Sequence, residues 1–247
     1  MKSTPTTLSL LALTLALGAC GSESSPTANS AAPANAAAAV APPANAPWTE
    51  TASRTEAGGF LLGNPDAKVK LIEYGALSCS HCANFAAKSS EPMKALIAKG
   101  TLSYEMRPFM LNVLDMPSFL LARCNGPVAY FPIADQIFAA QAEWMGRAQQ
   151  ITPAEQQSWA GMKPEQIAPR VASILQLDTF VQQRGLPADK AKACLSDPAA
   201  IKELETIRDA GIKEFQITGT PTLIVNGKNE NVGTWKDLEP ILRAQGV

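Results

Sequence analysis

The sequence predicts an α/β fold that is interrupted once by a block of helices. Its first half indicates a strand at residues 69–74, a helix at 83–99 and a second strand at 101–109. The strand signal nearly disappears from about residue 112 to residue 215, where short helical runs alternate with proline and glycine. Strand and helix signals then return. This order of elements is typical of one α/β domain that carries an all-helical insertion.

The first half of the domain is expected to contain a parallel pair of strands. Residues 56–63 include Gly-Gly-Phe-Leu-Leu-Gly and indicate a first strand or an extended segment leading into the sheet. Helix formers fill residues 83–99, and Gly100 is the expected C-terminal cap. Because a crossover helix joins them, we expect the strands at 69–74 and 101–109 to pair in parallel.

The insertion and the end of the chain carry clear boundary signals. Asp197 followed by Pro198 is typical of a helix N-terminus, since aspartate caps free N–H groups and proline favours the first helical position. Asn226-Gly227 predicts a hairpin turn between a strand at 222–225 and a strand near 230–232. The predicted helices are 117–124, 131–145, 164–175, 187–195 and 198–215 in the insertion, and 235–244 at the end.

Two cysteines separated by two residues, in Cys79-Ser80-His81-Cys82, lie where the strand at 69–74 leads into the following helix. Cys79 is therefore expected at the helix N-terminus. Free backbone N–H groups and the positive end of the helix dipole favour a thiolate there. His81 would add to this effect when protonated, or through its ring N–H. The predicted chemistry is thiol–disulfide exchange.

The same spacing is compatible with a buried cysteine pair or with half of a zinc site. A structural zinc site usually needs a second close pair of cysteine or histidine residues. The remaining cysteines, Cys20, Cys124 and Cys194, are single and far apart, and His81 is the only histidine. The sequence therefore favours redox chemistry, and it predicts neither a metal site nor a cofactor.

Composition argues against several other function classes. The formal net charge is −1, acids and bases are mixed along the chain, and no basic run indicates nucleic-acid binding. A single histidine also excludes Ser-His and Cys-His hydrolase schemes elsewhere in the chain. Multi-histidine metal sites are excluded for the same reason.

Residues 1–19 have the features of an export signal. Met1-Lys2 begins a short positive region, and residues 8–17 are apolar but too short to span a bilayer as a helix. Leu17-Gly18-Ala19-Cys20 resembles the lipobox of bacterial lipoproteins, which implies cleavage before Cys20 and a lipid on that cysteine. Ordinary signal cleavage, with Cys20 removed or left free, is the alternative.

Residues 21–47 are mostly alanine, proline, serine and asparagine and carry almost no charge, so they cannot form a core. We expect residues 20–47 to be a lipidated cysteine with a disordered tether, and residues 48–247 to be the folded head. The expected location is the periplasm, where the lipid would anchor the chain to the inner or the outer membrane of the cell envelope.

Export also bears on the other cysteines, because disulfides form and persist outside the cytosol. With Cys20 assigned to a lipid and with Cys79 and Cys82 assigned to redox chemistry, Cys124 and Cys194 remain as a candidate second disulfide. Two buried free thiols are the alternative.

Gly219-Thr220-Pro221-Thr222 precedes the predicted strand at 222–225 and, taken alone, indicates a simple turn. Together with Glu-Tyr-Gly-Ala-Leu-Ser-Cys-Ser-His-Cys at 73–82 and the helical insertion, it resembles the thioredoxin fold. Within that fold the chain is similar to the DsbA-like thiol:disulfide oxidoreductases of bacterial envelopes. The resemblance covers about residues 48–247. It implies a central mixed sheet flanked by helices, with thioredoxin parts at about 56–111 and 216–247 and the insertion at about 112–215.

The resemblance implies a role for each residue near the cysteine pair. Cys79 would be the exposed nucleophile and Cys82 the buried resolving cysteine, and His81 would stabilise the Cys79 thiolate. Pro221 would be a cis-proline packed beside the disulfide. Thr220 would offer backbone hydrogen bonds to an extended substrate.

Glu73, six residues before the first cysteine, matches a buried acid that assists proton transfer in this family. A solvated glutamate at the end of a strand is the alternative. The chain departs from the best-known DsbA-like members, which have Pro-His where Ser80-His81 stands here and valine at the position of Thr220. Threonine at that position resembles the isomerase-type relatives DsbC and DsbG, and Ser78 replaces a tryptophan of thioredoxin itself.

The implied function is the introduction of disulfides into exported proteins. A disulfide between Cys79 and Cys82 would accept electrons from reduced or unfolded exported substrates, and a membrane redox partner would reoxidise it. Two alternatives stay open. One is a disulfide reductase or isomerase of the same fold, which Thr220 favours. The other is a tethered binding lipoprotein without redox turnover, which the intact cysteine pair disfavours.

Overall fold

The computed structural model describes residues 40–44 and 46–247. The predicted signal segment, Cys20 and most of the predicted tether lie outside these residues. Within them, six strands form one mixed sheet in the order β1-β2-β4-β3-β5-β6. The strands are β1 (Ala52–Arg54), β2 (Phe60–Gly63), β3 (Val69–Gly75), β4 (Leu102–Pro108), β5 (Thr222–Val225) and β6 (Lys228–Asn229).

Ten α-helices accompany the sheet in the same part of the chain. Two of them, α1 (Ser80–Ala98) and α10 (Trp235–Ala244), belong to the segments that form the sheet. No helix of the described residues has the length and apolar character needed to span a membrane. The insertion contains α2 (Asp115–Arg123), α3 (Pro127–Ala139), α4 (Gln141–Arg147), α5 (Pro153–Ser158), α6 (Pro164–Leu175), α7 (Leu177–Gln182), α8 (Ala188–Leu195) and α9 (Pro198–Phe215).

β3 lies at the centre of the sheet. It pairs in parallel with β4, which confirms the prediction from the strand, helix, strand order, and it pairs antiparallel with β5. Because alternate side chains of a strand point to opposite faces, Leu71 packs among residues of α1 and α10, whereas Tyr74 packs against Ile207 of α9. Both faces of β3 are therefore covered up to the point where the chain leaves the sheet and approaches Cys79.

α1 ends as the sequence predicts. Gly100 has a φ of +71°, which glycine adopts without steric cost, and its N–H donates to Ile97 O at 2.8 Å. A Cβ at this position would lie 2.6 Å from Trp48 Nε1, which instead donates to Val40 O at 2.9 Å. Val40 N–H in turn donates to Lys99 O at 2.8 Å. Val40, which lies inside the segment predicted as a tether, therefore contacts the folded head.

The segment predicted at 56–63 contains β2, which is shorter than predicted because residues 55–59 form a turn. Gly58 has a φ of +83°, and Thr55 N–H donates to Gly59 O at 3.0 Å. This turn joins β1 to β2, and the two strands pair antiparallel. The sequence analysis did not predict β1.

The hairpin turn at Asn226-Gly227 is confirmed, but the strand predicted near 230–232 is wrong. Both turn residues have positive φ, 48° and 83°, as a type I′ turn requires. A two-residue turn pairs Val225 directly with Lys228, so the returning strand begins at once. Asn231 has a φ of 53°, which takes the chain out of the extended conformation.

The predicted helices of the insertion are present, but one predicted run is divided and two short helices were not predicted. The run at 131–145 is two helices, α3 and α4, because the backbone leaves the helical region at Ala140 (φ −90°, ψ 6°). The short helices α5 and α7 were not predicted. The N-terminal cap of α9 is confirmed, since Asp197 accepts hydrogen bonds from Ala199 N–H at 2.8 Å and Ala200 N–H at 3.3 Å.

Cys124 and Cys194 form a disulfide, and their Cα atoms are 5.8 Å apart. This confirms the candidate pairing and excludes the alternative of two free thiols. The bridge joins the C-terminal end of α2 to α8 across a sequence separation of 70. It therefore ties together distant parts of the insertion.

Removal of the Cys124–Cys194 disulfide should lower stability while the fold is retained. For a separation of 70, the chain-entropy model gives a loss of about 4 kcal/mol in the free energy of unfolding, as an upper figure. The measurement is urea unfolding of the Cys79→Ala/Cys82→Ala variant with and without Cys124→Ala/Cys194→Ala, so that the two proteins differ in one disulfide. Equal unfolding midpoints would contradict the prediction.

Candidate active site

Cys79 is the N-terminal cap of α1 and ends a short turn that follows β3. We call residues 76–79 the active-site turn. Cys79 N–H donates to Ala76 O at 3.1 Å, and Cys79 O accepts the first helical hydrogen bond from Ala83 N–H at 3.1 Å. The backbone of Cys79 is extended (φ −83°, ψ 121°), as is usual for a capping residue. Its sulfur therefore lies at the free N–H groups of the first helical turn, as predicted.

This environment lowers the pKa of the Cys79 thiol from its ordinary value of 9.0 to about 5. The largest cause is the neighbouring Cys82 thiol, followed among the lowering causes by Thr220 and by the backbone N–H groups of Cys82 and His81. Partial burial acts in the opposite direction. Cys79 is half-buried and is a free thiol, so its sulfur can both ionise and meet a substrate.

His81 contributes to the thiolate through its backbone. Its N–H is one of the groups that lower the pKa of Cys79. The imidazole is exposed, and among the described residues it makes no hydrogen bond. Stabilisation by the ring of His81 stays a prediction.

Cys82 lies inside the first turn of α1 and has no exposed surface. Burial raises the pKa of its thiol, and the neighbouring Cys79 and Glu73 raise it further. The two cysteines are therefore unequal: one carries a thiolate at the surface and the other a protonated thiol in the core. An exposed nucleophile and a buried partner is the arrangement expected from the sequence.

Glu73 is buried, with 2% of its surface exposed, so the alternative of a solvated strand-end glutamate is wrong. Tyr104 Oη donates to Glu73 Oε2 at 2.7 Å, while Oε1 has no partner among the described residues. Burial is the main cause that raises the pKa of Glu73, to about 7. A carboxyl with this pKa can exchange protons near neutral pH, and its charge acts on Cys82.

The loop before β5 brings Thr220 and Pro221 to the cysteine pair. Cys79 Sγ lies 3.3 Å from Thr220 O, to which the thiol form donates. The Thr220–Pro221 peptide bond is cis. An open cleft of about 380 Å³ follows this loop, between residues 216–222 on one side and residues 229 and 231–233 on the other. The structure thus unites two motifs that are 141 positions apart in the sequence.

Two further side chains of the insertion reach the active-site turn. Asp115, at the start of α2, accepts hydrogen bonds from Ser78, and Gln141, at the start of α4, donates to Leu77 O and Cys79 O. Neither residue was predicted from the sequence. An acid in a first helical turn looks like an ordinary helix-start residue, and no local signal connects a glutamine to a turn 62 positions away.

Potential metal ligands do not gather near the cysteine pair. In residues 40–44 and 46–247, no group of three or more histidine, cysteine, aspartate or glutamate side chains is placed to hold a metal ion.

A family model described as thioredoxin matches residues 55–244. The chain belongs to the thioredoxin family. This thioredoxin family member is similar to a protein of Rickettsia bellii, named as a candidate protein-disulfide oxidoreductase, with 25% identity over 68% of this chain and 57% of the relative. A Rickettsia prowazekii protein of the same description is 25% identical over 72% of this chain and 58% of the relative. The chain thus spans rather more than half the length of these curated relatives.

Solved structures place the helical insertion within the same fold. The crystal structure of a protein-disulfide isomerase from Novosphingobium aromaticivorans matches this thioredoxin family member with a TM-score of 0.71 and 29% identity, over 75% of this chain and 95% of that chain. Wolbachia pipientis alpha-DsbA1 matches with a TM-score of 0.60 and 18% identity, over 78% of this chain and 92% of that chain. The latter likeness shows the fold alone. The predicted fold class is therefore confirmed.

The lowered pKa of Cys79 predicts that reduced protein gains stability relative to oxidised protein as the pH rises. The thiol has a pKa near 9.0 when unfolded and about 5 when folded. The stabilisation is therefore complete above pH 9, and it is lost as the pH falls through 5. Glu73 is present in both oxidation states, so the comparison between them reduces its contribution.

The measurement is the Tm of each oxidation state from pH 4 to pH 8. The difference, reduced minus oxidised, should increase over this range. A difference that stays constant would show that Cys79 keeps an ordinary pKa.

Proposed function

We propose that this thioredoxin family member is a protein thiol:disulfide oxidoreductase, and that it acts as an oxidase that introduces disulfides into exported proteins. The observation that carries the proposal is the unequal cysteine pair. Cys79 is half-buried with its pKa lowered to about 5, and Cys82 is buried with its pKa raised. The names of the Rickettsia relatives agree with this reaction class.

The lowered pKa of Cys79 supports the oxidising direction. A stabilised thiolate favours the reduced form of the pair, and the disulfide is then a stronger oxidant. Among related redox proteins, the nucleophile has a pKa of about 3.5 in the oxidant DsbA and about 7 in the reductant thioredoxin. The value for Cys79, about 5, lies between them.

In the first step a substrate thiolate attacks Cys79 Sγ of the oxidised pair. A bond forms between the substrate sulfur and Cys79 Sγ, the Cys79–Cys82 bond breaks, and its electron pair leaves on Cys82 Sγ. Because Cys82 is buried, its thiolate is unfavourable and takes up a proton. We assign that proton to Glu73, whose charge acts on Cys82 and whose pKa of about 7 keeps part of it protonated near neutral pH.

In the second step another thiolate of the substrate attacks the substrate sulfur of the mixed disulfide. The substrate disulfide forms, and Cys79 leaves as a thiolate. Its low pKa makes it a good leaving group. The pair has then gained two electrons and the substrate has lost two. The cleft along the loop at 216–222 is lined by Thr220, whose carbonyl oxygen lies 3.3 Å from Cys79 Sγ. It would hold an extended substrate, with the backbone of Thr220 offering hydrogen bonds.

A disulfide isomerase or reductase is the second candidate. Two observations favour it: threonine precedes the cis-proline, and the structure that matches at 29% identity is named a protein-disulfide isomerase. Such an enzyme would be kept reduced in the cell, and Cys79 would attack substrate disulfides instead of accepting electrons from substrate thiols.

The oxidase hypothesis predicts that Cys79→Ser abolishes oxidation of a reduced two-cysteine peptide. In Cys82→Ser, the Cys79 thiolate should instead attack the disulfide of the oxidised peptide, break that bond and hold the peptide as a mixed disulfide, which intact-mass analysis detects. The control is Cys124→Ala/Cys194→Ala, which leaves the reacting pair unchanged and should retain activity. Oxidation by the Cys79→Ser variant would contradict the hypothesis.

The reduction potential of the pair separates the two candidates. An oxidase should equilibrate with glutathione at a potential closer to that of DsbA, about −120 mV, than to that of thioredoxin, about −270 mV. A value near that of thioredoxin would support the reductase instead. If the pair neither equilibrates with glutathione nor reduces insulin, the chain is a binding protein without redox function.

We also propose that a lipid on Cys20 anchors the chain to the periplasmic side of a cell-envelope membrane, where a membrane redox partner reoxidises it. Leu17-Gly18-Ala19-Cys20 and the tether composition support this proposal. Fatty-acid labelling should be lost in Cys20→Ser and retained in Ser22→Ala. Equal labelling of both variants would contradict it.

A further inference from the structure

The active-site turn receives most of its side-chain hydrogen bonds from the insertion. Gln141 Nε2 donates to Leu77 O at 2.8 Å and to Cys79 O at 2.9 Å, and Gln141 is 9% exposed. An amide nitrogen carries two N–H groups. Both are used here. One binds the carbonyl of Cys79, which bears the reacting sulfur, and the other binds the carbonyl of Leu77, which lies two positions earlier in the chain.

Asp115 holds the middle of the same turn. Ser78 donates to it twice, from N–H to Oδ1 at 2.8 Å and from Oγ to Oδ2 at 2.9 Å. The N–H groups of Leu111 and Asn112 also donate to Oδ2, at 2.9 and 3.3 Å. Asn112 Nδ2 donates to Ser78 Oγ at 3.0 Å. Asp115 has no exposed surface, so its carboxyl oxygens are held by several donors in a buried site.

The turn needs these partners because regular structure does not cover it. Sheet pairing ends at Gly75, and α1 begins at Ser80. Between them, the backbone bonds are Cys79 N–H to Ala76 O and Ala83 N–H to Cys79 O. The insertion supplies the partners of Leu77 O and Ser78 N–H. It also supplies a second donor to Cys79 O.

The position of the turn matters for the chemistry of Cys79. The groups that lower its pKa are the Cys82 thiol, Thr220 and two backbone N–H groups of α1. These influences are short-ranged, so their effect depends on where the capping residue holds the sulfur. A turn free to rotate would carry the sulfur away from several of these donors at once.

We propose that Gln141 and Asp115 are positioning residues, which hold the active-site turn so that Cys79 Sγ stays among its donors and beside Thr220 O. This inference rests on the proposed function, in which Cys79 is the reacting residue. On this view the insertion contributes to the reactivity of the cysteine pair, besides covering the sheet.

The test is a titration of Cys79 in Gln141→Met. Methionine keeps the length of the side chain and removes both hydrogen bonds. The Cys79 pKa should rise by roughly one unit, which lowers the thiolate fraction below the pKa about tenfold. The readout is the pH dependence of Cys79 alkylation by iodoacetamide in fully reduced protein, followed by peptide mass analysis.

Several groups face Cys79, and none of them is replaced in any variant of this test. They are Cys82 and His81 on α1, Glu73 on β3, Thr220 on the loop before β5, and Asp115 behind Ser78. Only Cys79 modification is counted, because Glu73 titrates near pH 7 and would contribute to a bulk signal.

The matched control is Gln136→Met on α3. Gln136 is exposed and bonds to Pro132 O and Arg184 Nε within the insertion, away from the active-site turn. This variant should keep the Cys79 pKa of the unmodified protein. A second variant, Ser78→Ala, removes the hydroxyl bonded to Asp115 but keeps the N–H bond. It should raise the Cys79 pKa in the same direction by a smaller amount, and it serves as the test if Gln141→Met does not fold.

A purely structural role gives a different result. If Gln141→Met, or Ser78→Ala in its place, lowers Tm but leaves the Cys79 pKa and the equilibrium with glutathione unchanged, the inference is wrong. The titration needs no substrate. If the unmodified protein fails to oxidise any test peptide, the proposed function fails while the comparison of pKa values remains valid.

Discussion

The structure depends on the stabilisation of one negative charge, on Cys79 Sγ at the N-terminus of α1. The helix supplies N–H groups that would otherwise be unpaired, and the neighbouring thiol of Cys82 makes the largest contribution to the lowered pKa of Cys79. The loop before β5 brings Thr220 to the same sulfur. Strand β3, helix α1 and strand β5 are neighbours in the fold, so the sheet topology itself assembles the site.

The same elements create the opposite environment beneath Cys79. Cys82 and Glu73 point into the core, where burial raises both of their pKa values. A low pKa at the surface and a high pKa beneath it give the two cysteines different tasks in the proposed reaction. This difference arises from depth, hydrogen bonding and the nearby charge of Glu73. The insertion adds to it, since Asp115 and Gln141 bind the turn between strand and helix.

Local sequence was sufficient for most of the fold and for the residues that react. Strands β3, β4 and β5 and the helices α1, α6, α9 and α10 follow from periodicity and capping signals, because these depend on neighbouring residues. The cysteine spacing placed Cys79 at a helix N-terminus for the same reason. The local signals failed for short elements. β1 and the helices α5 and α7 have few residues over which a pattern can repeat. The strand near 230–232 was wrong because turn geometry sets where pairing resumes.

Contacts between distant segments could be established only in the folded chain. Strand periodicity defines two faces but does not say which is covered, so the sequence is compatible with both a solvated and a buried Glu73. Packing in the folded chain buries it. Gln141 and Asp115 reach the active-site turn from helices 62 and 37 positions away, and no spacing rule relates them to it. A residue's chemistry follows from its type and its neighbours in sequence, whereas its pKa follows from what surrounds it in space.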